Sequence, residues 1–347
     1  MHIAAIEIRP FDPQTTDMAA LQSLSDLENT LRREILPDDP PIPLEERIQS
    51  LRNIPSFIDV WFWSAWDTQA GKIVAQADSV VMRTDENQHL LQFSIEVLPS
   101  YRRQGLARRL LTLVVETAQR ENRRLLLTNT SGRIPAGEAF MERLGAQRGL
   151  VGATNQLRVE DLDRALLQTW QAQAQQRAAG FALGLWEGAY PEEQIEAIAN
   201  LWELTNQQPF EDLEVDPIHY GPEELRQMEK SMAASGTQRW TLYAYEISSG
   251  KLAGYTELMW NPNRPETVGQ GMTGVFPEYR NKGLGRWLKA AMLQKLLDER
   301  PQVRFVRTQN ANSNAPMLHI NTALGFKPYT SNILWQVALD KVMAYLA

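Results

Sequence analysis

Two short stretches of this chain place arginine and glycine at the start of a helical pattern in almost the same order. YRRQGLARRLL occupies residues 101–111 and YRNKGLGRWLK occupies residues 279–289, so equivalent residues lie 178 positions apart. Each stretch follows an apolar, strand-like run and leads into apolar residues with helical spacing. A helix N-terminus offers unpaired backbone N–H groups and the positive end of the helix dipole. Glycine lets a ligand approach that backbone, and the basic side chains add charge. The pattern therefore predicts an anion-binding corner suited to a pyrophosphate.

The predicted corner residues occupy matching positions in the two stretches. They are Arg102, Arg103, Gln104, Gly105, Leu106 and Ala107 in the first, and Arg280, Asn281, Lys282, Gly283, Leu284, Gly285 and Arg286 in the second. One such pattern is equally typical of a solvated basic helix start, since short glycine motifs are weak signals. Its recurrence favours binding. The P-loop and the three-glycine dinucleotide motif are both excluded, because neither residue pattern is present.

The repetition extends well beyond these motifs. Gly71 and Gly250, each in a turn between two strand-like segments, lie 179 positions apart, as do Pro43 and Pro222 at two predicted short helices. Each copy therefore reads strand, helix, helix, three antiparallel strands, helix, strand, helix, strand. This order predicts an α/β fold (mixed α+β) in two tandem domains, each with a central mixed sheet flanked by helices. We place the domains at residues 1–163 and 181–347, with a linker helix at 164–180 that stops at Gly180.

Composition limits the classes of function. The 347 residues include no cysteine, which excludes disulfides, thiolate metal sites and a cysteine nucleophile. The four histidines are scattered, which argues against a histidine metal site. A net charge of −7 argues against a nucleic-acid partner. We find no signal-peptide pattern and no apolar run long enough for a membrane span, so we expect a cytoplasmic protein without a membrane partner.

The two motifs resemble a family signature. R-R-Q-G-L-A (102–107) and R-N-K-G-L-G (280–285) match the pattern [RQ]-x-x-G-x-[GA] of the GNAT acyltransferase superfamily. The resemblance covers nearly the whole chain as two tandem domains, an arrangement similar to that of the mycothiol synthases. It implies that acetyl-CoA is the cofactor and that the two corners bind the CoA pyrophosphate. It also implies that the strand ends at Val97 and Val275 hold the pantetheine arm through their backbone.

The second copy resembles the family more closely than the first. Residues 312–326 match a further family segment, which implies that Asn314 lies near the pantetheine. In the first copy, Ile134 and Ala146 replace the asparagine and the phenylalanine of that segment. We therefore expect a partly degenerate N-terminal domain and a catalytic C-terminal domain.

The acid and base of the reaction are less evident. Some relatives carry a glutamate six residues before the equivalent of Val275, and many carry a tyrosine four residues before the late glycine; here these positions hold Gly269 and Asn321. Possible substitutes are Glu257 and Glu266 as bases acting through water and Tyr329 as a proton donor. In the first copy, Glu96 is the corresponding candidate for a base. The alternative for each residue is purely structural: a glutamate on a strand usually faces solvent, and a tyrosine near a C-terminal strand usually packs against its neighbours.

Two functions remain open at this point. The first is an acetyl-CoA-dependent N-acetyltransferase, in which the amine of a small-molecule acceptor attacks the thioester directly. The second is a non-catalytic acyl-CoA-binding or regulatory protein, which the missing glutamate and tyrosine would explain. The acidic chain favours a cationic acceptor.

Overall fold

The structure is a computed structural model that describes residues 5–347, except for the side chain of Gln175. Within these residues the first repeat forms β1 (Ile6–Phe11), α1 (Met18–Ile35), α2 (Leu44–Arg52), β2 (Ile58–Asp67), β3 (Lys72–Met82), β4 (Leu90–Val97), α3 (Leu106–Arg120), β5 (Leu125–Ser131), α4 (Pro135–Arg143) and β6 (Gln147–Arg158). After α5 (Arg164–Arg177), the second repeat forms β7 (Phe181–Glu187), α6 (Ile195–Trp202), α7 (Pro222–Ala234), β8 (Gln238–Glu246), β9 (Leu252–Trp260), β10 (Thr267–Val275), α8 (Leu284–Glu299), β11 (Phe305–Ala311), α9 (Ala315–Ala323), β12 (Lys327–Ala338) and α10 (Leu339–Leu346). The predicted order of elements is confirmed. The first predicted strand begins in residues that lie outside the described range.

The first compact unit consists of the described residues up to Val151 together with Phe210–Asp216 and Thr330–Ala347. Its sheet has the strand order β1-β2-β3-β4-β5-β12. One face is covered by the leucine-rich sides of α1 and α2, and another core forms where α3, α4 and α10 pack against β4, β5 and β12. The sheet is mixed, because β4 and β5 run parallel while the hairpin strands are antiparallel.

The second compact unit consists of Gly152–Pro209 and Pro217–Tyr329. Its sheet has the strand order β6-β11-β10-β9-β8-β7. Helix α6 packs on one face, next to the buried Tyr255, while α5 and α8 pack on the other face, next to Leu258. This unit therefore repeats the layered arrangement of the first.

Each sheet receives its last strand from the other repeat. The C-terminal strand β12 pairs antiparallel with β5 in the first unit, with Asn332 opposite Ser131 and Ala338 opposite Leu125. Within the second unit, β6 pairs antiparallel with β11, with Arg158 opposite Phe305. The boundaries at 163 and 181 remain a prediction of where one repeat ends and the next begins along the chain. The compact units do not follow these boundaries, because each unit includes residues from both repeats.

The predicted linker helix is part of the second unit. Asp163 caps α5 by accepting hydrogen bonds from the N–H groups of Ala165 and Leu166. Leu167 and Trp170 are buried in the same core as α8, so the helix is packed and is not a free connector. The predicted stop at Gly180 is wrong, because α5 already ends at Arg177 and the carbonyl of Gly180 accepts a hydrogen bond from Ile247 beside β8.

Across residues 5–347, no helix combines the length and the apolar character that crossing a membrane requires.

Candidate functional site

The corner before α8 has the geometry of an anion-binding site. After β10, a single helical turn over Pro277–Tyr279 leads to two left-handed residues, Asn281 with φ 65° and Gly283 with φ 85°. The first hydrogen bond of α8 runs from the Trp287 N–H to the Gly283 carbonyl, so the preceding N–H groups have no partner within the helix. A Cβ added to Gly283 would meet no atom within 4 Å. The corner is therefore open to a ligand.

Arg280 is fixed at this corner by its own strand. Its Nε donates to the carbonyl of Val275 at 2.9 Å, and its guanidinium also donates to the side-chain oxygen of Gln207. Because Gln207 is neutral, it does not cancel the charge of Arg280. Lys282 points elsewhere, with its Nζ 4.8 Å from the ring centroid of Phe181.

A cavity of about 510 Å³ extends from this corner in the second unit. Its described wall includes most of the predicted cofactor residues, but not Lys282: Val275, Arg280, Asn281, Gly283, Leu284, Gly285, Arg286 and Asn314. Asn314 is also the cap of α9, since its side-chain oxygen accepts the N–H of Met317 at 3.3 Å. Open glycine, fixed arginine and free helix N–H groups fit the diphosphate of CoA.

The inner end of the cavity lies at an irregular part of β10. The parallel pairing of β10 with β11 covers three residue pairs, from Thr267 to Gly269, and then stops. The antiparallel pairing with β9 shifts register between Gln270 and Thr273. Such a bulge leaves backbone groups without ladder partners. In the first unit, β4 pairs with β3 without a shift, so the bulge distinguishes the second unit.

The first unit has the same corner in a different electrostatic setting. Arg103 (φ 64°) and Gly105 (φ 82°) are left-handed, and Arg102 Nε donates to the Val97 carbonyl at 3.0 Å. Here the guanidinium pairs with the carboxylate of Glu34, which compensates its charge. The adjoining cavity measures about 830 Å³, and its wall includes Val97, Arg102, Arg103, Gly105, Leu106 and Ala107. Gln104 instead donates to the Ser100 carbonyl.

Acidic side chains line the inner part of this first cavity. Glu28, Asp78 and Glu96 all contribute to its wall, and Glu28 forms an ion pair with Arg47. Gln76 bridges two of them, donating to Glu96 at 2.5 Å and to Glu28 at 3.1 Å. Burial raises the pKa of Asp78 and of Glu96. Glu96 was a candidate from the sequence, whereas Glu28 and Asp78 were not predicted, because they lie on different elements.

Glu257 is the predicted base that lies closest to the bulge. It is 5% exposed, and it accepts hydrogen bonds from the Tyr190 hydroxyl at 2.9 Å and the Thr241 hydroxyl at 3.3 Å. One carboxylate oxygen lies 3.4 Å from the position that a Cβ on Gly271 would take. Burial raises the pKa of Glu257, and the neighbouring Arg239 opposes that shift.

The other two predicted catalytic residues lie away from the cavity. Glu266 directly precedes β10, nine residues from Val275, and its exposed carboxylate pairs with Arg304 at 3.3 Å. Tyr329 has the guanidinium of Arg307 4.7 Å from its ring centroid. Like Glu257, which is buried beside the bulge, neither belongs to the described cavity wall. Their placement gives no support to the proposed roles.

Sequence reasoning missed a buried lysine beneath the cavity. Lys289 on α8 is 1% exposed and donates to the side-chain oxygens of Asn321 at 2.8 Å and Gln270 at 3.3 Å. Burial lowers its pKa to about 7. The signal was present in the sequence, since Lys289 shares a helical face with Met292, Leu293 and Leu296.

Lys289→Leu should change the pH dependence of folding stability. The pKa of Lys289 is lower in the folded state than in the unfolded state, so the unfolded chain binds the extra proton between pH 7 and about pH 10. The stability of the wild type should therefore rise with pH over this window, relative to the variant, by about 1.4 kcal/mol per pH unit. Urea unfolding at several pH values measures the difference.

The control for this measurement is Lys251→Leu, at an exposed residue beside the β8–β9 hairpin. It should leave the difference from wild type constant across the same pH range. A constant difference for Lys289→Leu would contradict the expected shift. The slope is the readout because the variant also leaves two buried amide oxygens unpaired, a cost that does not depend on pH.

Comparison with known proteins agrees with this geometry. The model of the Acetyltransferase (GNAT) family matches residues 21–146 and 195–326. Among solved structures, a tandem GNAT protein from the clavulanic acid biosynthesis pathway has a TM-score of 0.78 at 24% identity, covering 96% of this chain and 98% of that one. A GCN5-related N-acetyltransferase from Sphaerobacter thermophilus has a TM-score of 0.66 at 14% identity, covering 96% of each chain. No curated protein matches the chain by sequence. The two matches together span more than half of the chain, which therefore belongs to the Acetyltransferase (GNAT) family.

Proposed function

We propose that this protein transfers an acetyl group from acetyl-CoA to the amine of a small-molecule acceptor, and that the second unit performs the reaction. The observation that supports this most directly is the cavity of about 510 Å³ that joins the corner before α8 to the bulge of β10. One end offers the groups that bind a diphosphate, and the other end offers unpaired strand backbone. A CoA thioester is a long molecule whose two ends need these two environments.

The binding roles follow from the wall of the cavity. Free N–H groups at the start of α8, with Arg280 and Arg286, take the pyrophosphate. The edge of β10 at Val275 and the amide of Asn314 take the pantetheine arm. The backbone N–H groups left unpaired at the bulge donate to the thioester carbonyl as it gains negative charge.

The reaction needs no covalent enzyme intermediate. The amine nitrogen attacks the thioester carbon, the new C–N bond forms, and the C–S bond breaks with its electron pair leaving on sulfur. The amine loses one proton, which Glu257 accepts through water, and the CoA thiolate gains one proton. The chain contains no cysteine, which agrees with direct attack. The net charge of −7 favours a cationic acceptor over an anionic one.

Three differences favour the second unit over the first. The register shift in β10, the strand that leads to the corner, has no counterpart in β4 of the first unit. Arg280 meets a neutral amide where Arg102 meets a carboxylate. Asn314 caps α9, whereas Ile134 precedes α4 without a side-chain cap.

Release of free thiol from acetyl-CoA tests the proposal, with polyamines, aminoglycosides, amino acids and peptides as candidate acceptors. We expect turnover with at least one cationic amine. Arg280→Ala should lower kcat/KM for acetyl-CoA by about 10- to 100-fold, which is the value of a charged hydrogen bond. The matched variant Arg102→Ala should stay within about threefold of wild type, because its charge is already paired. Tight CoA binding without turnover on any acceptor would contradict the proposal and favour a non-catalytic acyl-CoA-binding or regulatory protein.

A further inference from the structure

Lys289 fixes the orientation of two buried amides. Its Nζ donates to the side-chain oxygens of both Gln270 and Asn321, and an amine has the two N–H donors that this requires whether or not it carries the extra proton. The amide nitrogen of Gln270 then points the other way and donates to the Thr256 hydroxyl at 2.8 Å. The N–H of Lys289 and the Glu257 carbonyl, which accepts from the same Gln270 nitrogen at 3.2 Å, thus together set the direction of the next hydrogen bond.

The chain of hydrogen bonds continues from Thr256 to the cavity wall. Thr256 is fully buried, and in the described part of the chain the only acceptor recorded for its hydroxyl hydrogen is the Thr273 oxygen at 2.7 Å. If Thr256 did not donate to Thr273, its hydrogen would be buried without a partner, at a cost of about 1–3 kcal/mol. Thr273 lines the cavity, directly after the bulge. Its own hydroxyl hydrogen therefore remains available to a ligand.

The fold itself does not require these polar residues. At the equivalent positions of the first unit, 178 residues earlier, Ile95 replaces Thr273 and the buried Leu111 replaces Lys289. Met141, also buried, stands where Asn321 does. Apolar side chains thus fill the same positions in the same fold. Burying a lysine without a carboxylate is costly, so stability does not account for Lys289.

The two faces of the second sheet separate the reacting groups. Thr256 and Leu258 face α8, so Glu257 between them faces the opposite side, where it contacts Tyr190 beside α6. With the proposed base Glu257 on that face, the proposed mechanism brings the amine from the side of Glu257. The hydroxyl of Thr273 lies on the other side, where the same mechanism puts the leaving sulfur.

We propose that the Thr273 hydroxyl donates a hydrogen bond to the leaving sulfur of the acyl thioester, and that Lys289 is the positioning residue that directs it. The inference rests on the proposed function. No proton is consumed in this role: the hydroxyl stabilises the electron pair that sulfur gains when the C–S bond breaks, and solvent protonates the thiolate after release. Many relatives have a tyrosine at the position of Asn321, where it assists the departure of the CoA sulfur. Thr273 takes over part of that role here.

Calorimetric binding of CoA and of desulfo-CoA at pH 9 tests the proposal without any acceptor. Both ligands carry the pyrophosphate, and only CoA presents a thiolate. We expect Thr273→Val to reduce the preference for CoA over desulfo-CoA by about tenfold, the value of one charge-assisted hydrogen bond. Thr273→Ser should keep the preference. Lys289→Leu, which copies the first unit, should reduce it although Thr273 is intact, and Thr256→Val interrupts the chain of hydrogen bonds at a second point.

The same variants have a kinetic readout. Thr273→Val should lower kcat by about 10- to 100-fold with little change in KM for acetyl-CoA, and the serine variant should restore kcat. An unchanged preference in Thr273→Val, with CoA still bound, would overturn the hydrogen bond to sulfur and leave the proposed function standing. Failure of the wild type to bind either ligand would instead overturn the proposed function and this role with it.

Discussion

Gly283→Glu should abolish acyl transfer while the protein remains folded. Gly283 has φ 85°, a conformation that costs an L-residue about 1–2 kcal/mol, which a domain of this size tolerates. The new side chain meets no protein atom at its Cβ and therefore extends into the corner before α8. Its carboxylate would lie where the diphosphate must bind and would repel it. Thiol release measures the activity, and calorimetry measures CoA binding.

Gly105→Glu is the matched control. Gly105 has φ 82° and equally open space at its Cβ, so the backbone strain is the same and only the unit differs. We expect turnover close to that of wild type. The stoichiometry of CoA binding in this variant also tests the first unit: two sites in wild type and one in Gly105→Glu would mean that both corners bind. Loss of turnover in Gly105→Glu but not in Gly283→Glu would move the reaction to the first unit.

Glu257→Gln should lower kcat by about 100- to 10,000-fold, the range for removal of a general base, with KM for acetyl-CoA nearly unchanged. Glutamine keeps the shape and can still accept the hydrogen bond of Tyr190, so the packing should survive. Burial raises the pKa of Glu257, and only its ionised form accepts a proton. The wild-type rate should therefore fall as pH decreases through that raised pKa, and this limb of the profile should disappear in the variant.

Glu266→Gln provides the comparison, because Glu266 is an exposed carboxylate at the distant end of β10. It should change kcat by less than about threefold, as expected for a surface ion pair. Equal losses in the two variants would contradict the assignment of the base. A normal rate in Glu257→Gln would show that its carboxylate only stabilises the packing around Tyr190.

The parts of the structure that depend on local sequence were predictable. A glycine between an apolar strand and an apolar helix specifies a left-handed residue at that corner, and both Gly105 and Gly283 adopt it. The repeated hairpins around Gly71 and Gly250 form as the alternating apolar residues indicate. The Arg280 side chain at the strand end also follows from its place in the motif.

Features that depend on distant pairing were not predictable. The segments that form β6 and β12 have similar apolar patterns, and nothing in either pattern specifies β11 or β5 as the neighbour. The bulge of β10 depends on how β9 pairs with it, which the glycine-rich sequence alone does not fix. The hydrogen-bonded side chains between Lys289 and Thr273 come from four different elements, which are α8, α9, β9 and β10. Lys289 shares a helical face with buried apolar residues, but its burial was not predicted because a lysine in a helix is normally solvated.

The exchange of β6 and β12 makes the two repeats inseparable. A fragment cut at residue 163 would leave β5 without its outer neighbour, and the complementary fragment would leave β11 exposed in the same way. Unpaired strand edges of this kind promote aggregation. The second unit therefore depends on the first repeat for β6, and the first unit depends on the second repeat for β12, whichever unit performs the chemistry.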